Sequence, residues 1–547
     1  MRRQTAAPRV MTSERWWLVV VAAFAVVGVL LRVAYVNSFP GLNPDEVETS
    51  LQWFRESPIF FYRGPSRPLL SPIAPILLWP IAPFVDPAPW VVRLPALLAG
   101  ISVLPVTFLV VRRLFGTSTS RLVTCLACTS PILIAYSRVG WDPEFIPIVT
   151  IAVLGFAYRG RFAWAGALFL LLTLIHPTAA FVIPLAAAPW LMDRWRSTAR
   201  TRHGAIQRAG LVAGCAVAYI PIVIAVSATF HGIALPSEAA ELSGMLAQRL
   251  MDVRGLLEFV GGFLNVVTGP AIYATFLGSD TSAPPAWFVM TLGLVASAGT
   301  YRLWRQNRRH EVAIVVALAA GLLAQYIAMG TVVVEVARER HFLWAVLPAL
   351  MSLTFLLRGA FQWRRLGDRS LVAAVVLGWL GAGWFVVSYL SPFIRTGGVS
   401  PVLDYRSAVP QPKIQVLETI RANRQFPESR AEVFVGESRL HLGLLYLASK
   451  DERLTINTLG LVLYDNFQTA DEPGLIQLFE RFAQEPRDVF FVDYDWDRLP
   501  GQIREIHQIS ARPAAQVVAP WTLHELRNVT TTSGDPLIKV WRLQNAP

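Results

Sequence analysis

Charge is scarce in this chain. Only 16% of its 547 residues are Asp, Glu, Lys or Arg, against 54% hydrophobic, which excludes an ordinary soluble enzyme. Cysteine is scarcer still. Cys125, Cys128 and Cys215 all lie inside apolar runs, where the CxxC spacing of the first two reads as a pair of small packing residues and not a redox or metal pair. No small-residue cleavage site follows the apolar stretch 17–31, so it reads as a retained helix and not a signal peptide. Internal repeats are absent, which removes the duplicated, Gly/Pro-broken halves typical of secondary transporters. After residue 390 membrane-length apolar runs stop, and the polar remainder contains neither a Gly-rich phosphate loop nor a nucleophile elbow.

What is present is a series of runs long enough to cross a bilayer, about 20 residues each. The expected spans are 16–37, 90–112, 120–137, 144–159, 161–176, 178–193, 209–230, 286–304, 311–329, 341–358 and 370–391. With eleven crossings, the Arg-rich segments 1–15, 112–121, 159–161, 193–208, 302–310 and 358–369 share one side. By the positive-inside rule that side is cytoplasmic. The net charge of +12 then marks orientation and contact with anionic lipids, not a nucleic-acid partner. Connections 38–89, 138–143, 231–285 and 330–340 fall outside, as does everything after residue 391. Two of these loops, 38–89 and 231–285, carry amphipathic stretches that read as interfacial helices.

Residues 1–391 therefore form a membrane domain and 392–547 an extracytoplasmic α/β domain. In the latter, 431–437, 453–459, 487–495 and 535–543 read as strands, with helices over 438–450 and 472–485. It reads as a cap, structural or acceptor-handling.

Chemistry concentrates in the outer connections. "NPDEVE" (43–48) opens the first loop, with Asn43 as an N-cap, Pro44 at the first helical position and Glu46 three residues after the cap. Helix initiation accounts for much of this, but not for three acids beside a bilayer, where burying charge is costly. "SRVGWDPEF" (137–145) brings Asp142 and Glu144 to the same face, with Arg138, Arg55, Arg63, Arg338, Arg340 and His341 also there, and His176 at the outer end of the fifth span. Residue chemistry alone leaves two readings equally open: a salt-bridge network, or a site that deprotonates one substrate and holds an anionic other.

The text "RPLLSPIAPILLWPIAPF", "VVRLPALLAGISVLPVTFLVVRRLFG" and "TSPILIAYSRVGWDPEF", after a loop opening with "DE", resembles bacterial polyprenyl-phosphate-sugar-dependent glycosyltransferases. These are GT-C fold enzymes related to protein O-mannosyltransferases and the lipid A aminoarabinose transferase. The motifs cover roughly residues 15–180, and topology extends the likeness to about 390. The resemblance implies a GT-C type polytopic helical protein of a bacterial inner membrane, N-terminus cytoplasmic. It implies Asp45 as catalytic base, Glu46 as its neighbour orienting it or touching the acceptor, and Asp142 as a second acid. Arg340 and His341 match positions that hold the lipid-linked phosphate, His341 standing where the family usually has Tyr; Arg138 falls on the Arg of the "SR.GW" motif and could help there, His176 is a looser match, and Arg63 and Arg338 complete the substrate-binding candidates. The implied donor is a polyprenyl-phosphate sugar and the acceptor a lipid, glycan or protein hydroxyl. No cofactor is obligatory, though Asp45, Glu46 and Asp142 could hold a divalent ion. Against this reading stand a lipid or polysaccharide flippase and a non-catalytic envelope-assembly subunit.

Overall fold

The computed structural model describes residues 13–37, 42, 77–78, 80–140, 142–197, 202–231, 239–272, 284–330, 339–360, 410–459, 485–497, 522–530 and 536–544, with isolated positions between. Ten of the eleven expected spans are helical in this set; 370–391 lies mostly outside it. In order they are α1 (Ser13–Val33), α2 (Pro89–Phe115), α3 (Thr117–Thr129), α4 (Pro131–Tyr136), α5 (Phe145–Ala157), α6 (Phe162–Ile175), α7 (Ile183–Ser197) and α8 (Arg202–His231). The loop helices α9 (Ala239–Met251) and α10 (Val253–Thr268) follow, then α11 (Ala286–Arg305), α12 (Arg309–Met329) and α13 (Leu343–Ala360).

Among the described residues five helices are long and apolar enough to cross a membrane, while α5 and α6 are shorter apolar helices. Proline explains several of the shortfalls. Pro131 lacks the N–H that would continue α3, so the expected span 120–137 becomes α3 and α4 meeting at Ser130, which has an extended ψ of 117°. Pro177 likewise ends α6 and starts a 3-10 turn, Pro177–Val182, before α7.

Among the described residues, the basic turns after α2, after α5 and before α12 meet at one end of the bundle. Tyr158 after α5 meets His310 of α12 edge-on at 5.8 Å, and Phe115 at the end of α2 meets Tyr158 at 5.9 Å. Below the far end, close packing depends on missing side chains. A Cβ on Gly321 of α12 would lie 2.6 Å from the Trp344 ring and 2.7 Å from the Phe181 carbonyl. On Gly28 of α1 it would lie 2.9 Å from the Cys128 carbonyl. Small residues at helix contacts are how bundles pack without a hydrophobic drive between them.

The C-terminal part forms a five-stranded sheet ordered β2-β1-β3-β5-β4. Its elements are α14 (Pro410–Ala422), β1 (Ala431–Val435), α15 (Ser438–Leu447), β2 (Leu454–Thr458), β3 (Val489–Tyr494), β4 (Thr522–Thr530) and β5 (Pro536–Gln544). β1 runs parallel to β2 and β3, and the β3–β5 and β5–β4 pairs are antiparallel. The sheet has one strand more than the pattern predicts. β4 is an edge strand whose residues are mostly exposed or half-buried, so it carries no apolar alternation to read.

This domain sits on the start of α2. The Tyr446 hydroxyl donates to the Ala88 carbonyl at 3.0 Å, Lys450 donates to the Val85 carbonyl, and Leu42 and Val92 join the core beneath the sheet. Gly321→Ala should destabilise the protein by about 1–3 kcal/mol through overpacking. Gly293→Ala, where a Cβ meets nothing within 4 Å, should not; thermal unfolding of the purified protein separates the two.

Candidate active site

The described site candidates fall at the end of the bundle that carries the sheet, and three arginines buried in apolar surroundings shape it. Arg32 of α1 is fully buried and donates through Nη2 to the Ala127 carbonyl (3.3 Å) and through Nη1 to the Cys128 carbonyl (3.1 Å). These are carbonyls orphaned by the break in α3: the partner of Ala127 four residues on would be Pro131, which has no N–H. Arg138, also fully buried, returns the favour. Its Nη1 donates to the Leu31 carbonyl at 2.7 Å and to that of Arg32 at 3.3 Å, in the last turn of α1. Arg93 of α2 takes the next exposed carbonyl, that of Val36, at 2.8 Å. In hydrocarbon an unsatisfied carbonyl costs several kcal/mol, so guanidiniums here hold helix ends in register.

Asp142 opens a 3-10 turn, Asp142–Glu144, directly before α5. Glu144 is 2% exposed, and its carboxyl packs where Gly100 of α2 leaves room; a Cβ on Gly100 would lie 2.8 Å from Glu144 Oε1 and 2.3 Å from Ser137 Cβ. Glu144 Oε2 has no hydrogen-bond partner among the described residues, and the Arg32 charge acts on this carboxyl.

Across the same end, the turn Glu339–Phe342 leads into α13 and carries Arg340, half-buried, and His341, 4% exposed. Gln325 of α12 fixes this turn with both ends of its amide. It donates to the His341 carbonyl at 3.1 Å and accepts from the Trp344 indole at 2.8 Å. The His341 ring lies 5.3 Å from that of His176 at the end of α6. His176 Nδ1 accepts from the Thr178 backbone N–H at 3.3 Å and lies 2.7 Å from the Thr178 hydroxyl, which leaves the proton on Nε2 in the neutral ring.

The loop helices roof this end. The expected single amphipathic stretch is two helices broken at Asp252, whose carboxylate caps α10 through the Gly255 N–H at 2.8 Å. Arg249 donates to the carbonyls of Ile327 (3.1 Å) and Ala328 (2.9 Å), burial lowering its pKa while Tyr326 opposes the shift. Tyr326 donates to the Asp252 carbonyl at 2.9 Å. α10 then touches both halves of the region: it packs on α4, which leads into Arg138, and on the Glu339–Phe342 turn, with Phe259 and Phe263 each 5.4 Å from Phe342.

Asp45, Glu46, Arg63 and Arg338 lie outside the described residues, as does the side chain of Asp142. Among the described residues no three His, Cys, Asp or Glu groups are placed to hold a metal. Sequence reasoning set Glu144 beside Asp142 at the outer face but gave no role to Arg32, Arg93 or Gln325. A charge inside an apolar run was the available signal for Arg32 and Arg93.

A scan against protein-family models finds no match for this chain, and no curated protein matches it. Among solved structures it is similar to ArnT from Cupriavidus metallidurans in the apo state, at 14% identity over 97% of this chain and 98% of that one, TM-score 0.44. The same protein bound to undecaprenyl phosphate gives 14% identity over the same shares, TM-score 0.43. The Archaeoglobus fulgidus oligosaccharyltransferase tethered with an acceptor peptide gives 11% over 98% and 74%, TM-score 0.45. At such scores the likeness assigns no activity.

Arg32→Met should cost about 1–3 kcal/mol for each of the two carbonyls, Ala127 and Cys128, that it leaves buried without this donor. Thermal unfolding of the purified variant checks this, and an unchanged transition would show that Arg32 does not brace the break.

Proposed function

We propose that this chain is a membrane glycosyltransferase that moves a sugar from a polyprenyl-phosphate donor to a hydroxyl acceptor at the sheet end of the bundle. The observation that carries the reading is the joint placement of two groups under α10: the Arg138–Asp142–Glu144 hinge, and the Arg340–His341–His176 cluster. Covalent reach supports adding the acids of the first loop. Leu42 is buried in the same core as Val92 at the start of α2, and Asp45 follows three residues later, within about 11 Å along the chain. The carrier that such a donor would leave behind is of the kind bound in one of the ArnT structures above, undecaprenyl phosphate.

In this reading the acceptor hydroxyl attacks C1 of the donor sugar. Its oxygen forms the new bond to C1 as the bond from C1 to the phosphate oxygen breaks, and the hydroxyl proton passes to the Asp45 carboxylate. Charge builds on the departing phosphate, and Arg340 is the guanidinium assigned to meet it, with the His341 and His176 rings beside it. Attack opposite the phosphate inverts the anomeric centre. Arg138, its Nη1 committed to backbone, contributes by fixing the end of α1 from which the acidic loop departs. A flippase would need the same charged end but no base.

Purified protein given a radiolabelled polyprenyl-phosphate sugar should release or transfer the label. Asp45→Asn should lower that rate by at least about a hundredfold, the span assigned to general base catalysis. Full activity in that variant overturns the base assignment, and lipid movement across liposomes without sugar loss favours the flippase. We infer also that the sheet end faces out of the cytoplasm, because the opposite end gathers the basic turns. In intact cells of a Cys215-free background, an impermeant maleimide should label Lys450→Cys and reach Arg305→Cys only after permeabilisation.

A further inference from the structure

We propose that a groove between α2 and α5, at the basic end of the bundle and remote from the candidate active site, binds an anionic glycerophospholipid of the adjacent leaflet. The groove holds about 240 Å³ and is walled by Val106, Leu109 and Val110 of α2 and by Ala152 and Phe156 of α5. It starts one residue past Pro105, an interruption of the α2 hydrogen-bond ladder. Gly155 keeps it open: a Cβ there would already come within 3.2 Å of both Val110 methyl groups.

The mouth is cationic. Arg113 and Arg159 both line the groove, both are exposed, and neither has a carboxylate partner among the described residues. Neighbouring Arg112 is engaged elsewhere, over the Phe108 ring at 6.0 Å. From Val106 to Arg113 the apolar wall runs about 10 Å along the helix axis, a slot for hydrocarbon that ends at two guanidiniums. That order, chain then phosphate, is the order of a phospholipid entering from its leaflet, and paired guanidiniums suit a phosphate better than a point charge does. Trp164 marks the depth: it is 63% exposed and stacks on the groove wall at Phe156, 6.3 Å between ring centroids, as an indole at a bilayer interface does. A zwitterionic lipid fits the slot equally well but brings no net charge to its mouth, so the site selects by headgroup.

Native mass spectrometry of the full-length protein, titrated with phosphatidylglycerol and with phosphatidylcholine of identical chains, tests this. Wild type should bind one phosphatidylglycerol more tightly than phosphatidylcholine. Arg113→Gln with Arg159→Gln should weaken phosphatidylglycerol about thirtyfold, about fivefold per arginine at an anionic surface, to the level of phosphatidylcholine. Gly155→Leu should weaken both lipids, and Arg305→Gln, at the same end but off the groove, should change neither. Equal binding of the two lipids by wild type overturns the proposal. So does a loss in Arg305→Gln as large as in the double variant, which would mean diffuse attraction, or a lipid-insensitive dimer that Gly155→Leu abolishes.

Discussion

The architecture depends on buried guanidiniums answering carbonyls that helix breaks leave bare. Pro131 is the origin of the arrangement. It ends α3 inside an apolar bundle, and the stranded carbonyls of Ala127 and Cys128 have no water to turn to. Arg32 reaches across from α1 to meet them, while Arg138, arriving after the short α4, closes the end of α1 in return. Each helix thus supplies the cap that the other lacks. Replacing a backbone donor with a five-donor side chain allows a sharp bend at membrane depth, at the cost of burying two full charges.

The same device recurs on the other side of the bundle, with neutral groups alongside one further arginine. Gln325 ties the turn holding Arg340 and His341 to α12, and Arg249 and Tyr326 tie the loop helices to the end of that helix. Among the described residues, Arg138 closes the end of α1 and Gln325 holds the Arg340–His341 turn, each from a separate element. The C-terminal sheet adds the last clamp, through Tyr446 on Ala88 and a shared core around Leu42 and Val92. A site made from loops at a membrane surface needs such bracing, since loops alone hold side chains poorly.

Most of the helical layout was legible from the residues, because apolar runs and arginine-rich turns are linear features. The breaks were partly legible: prolines at 131 and 177 announce them, but not which side chain repairs them. The acids and basic residues of the outer connections were singled out by their unusual setting. Arg32 and Arg93 were passed over because they sit within apolar text and were absorbed into spans. Strand β4 was missed for the opposite reason, being an edge with little apolar character.

The sequence by itself determined that the chain is a helical membrane protein with a polar C-terminal α/β part, since bilayer thickness and charge placement act on each segment separately. Only the tertiary structure decided that Arg138 spends a donor on α1, that His176 meets His341, and that the sheet rests on α2. Those facts join residues 107 to 358 positions apart. Partners at that separation are chosen by packing, which no local pattern encodes.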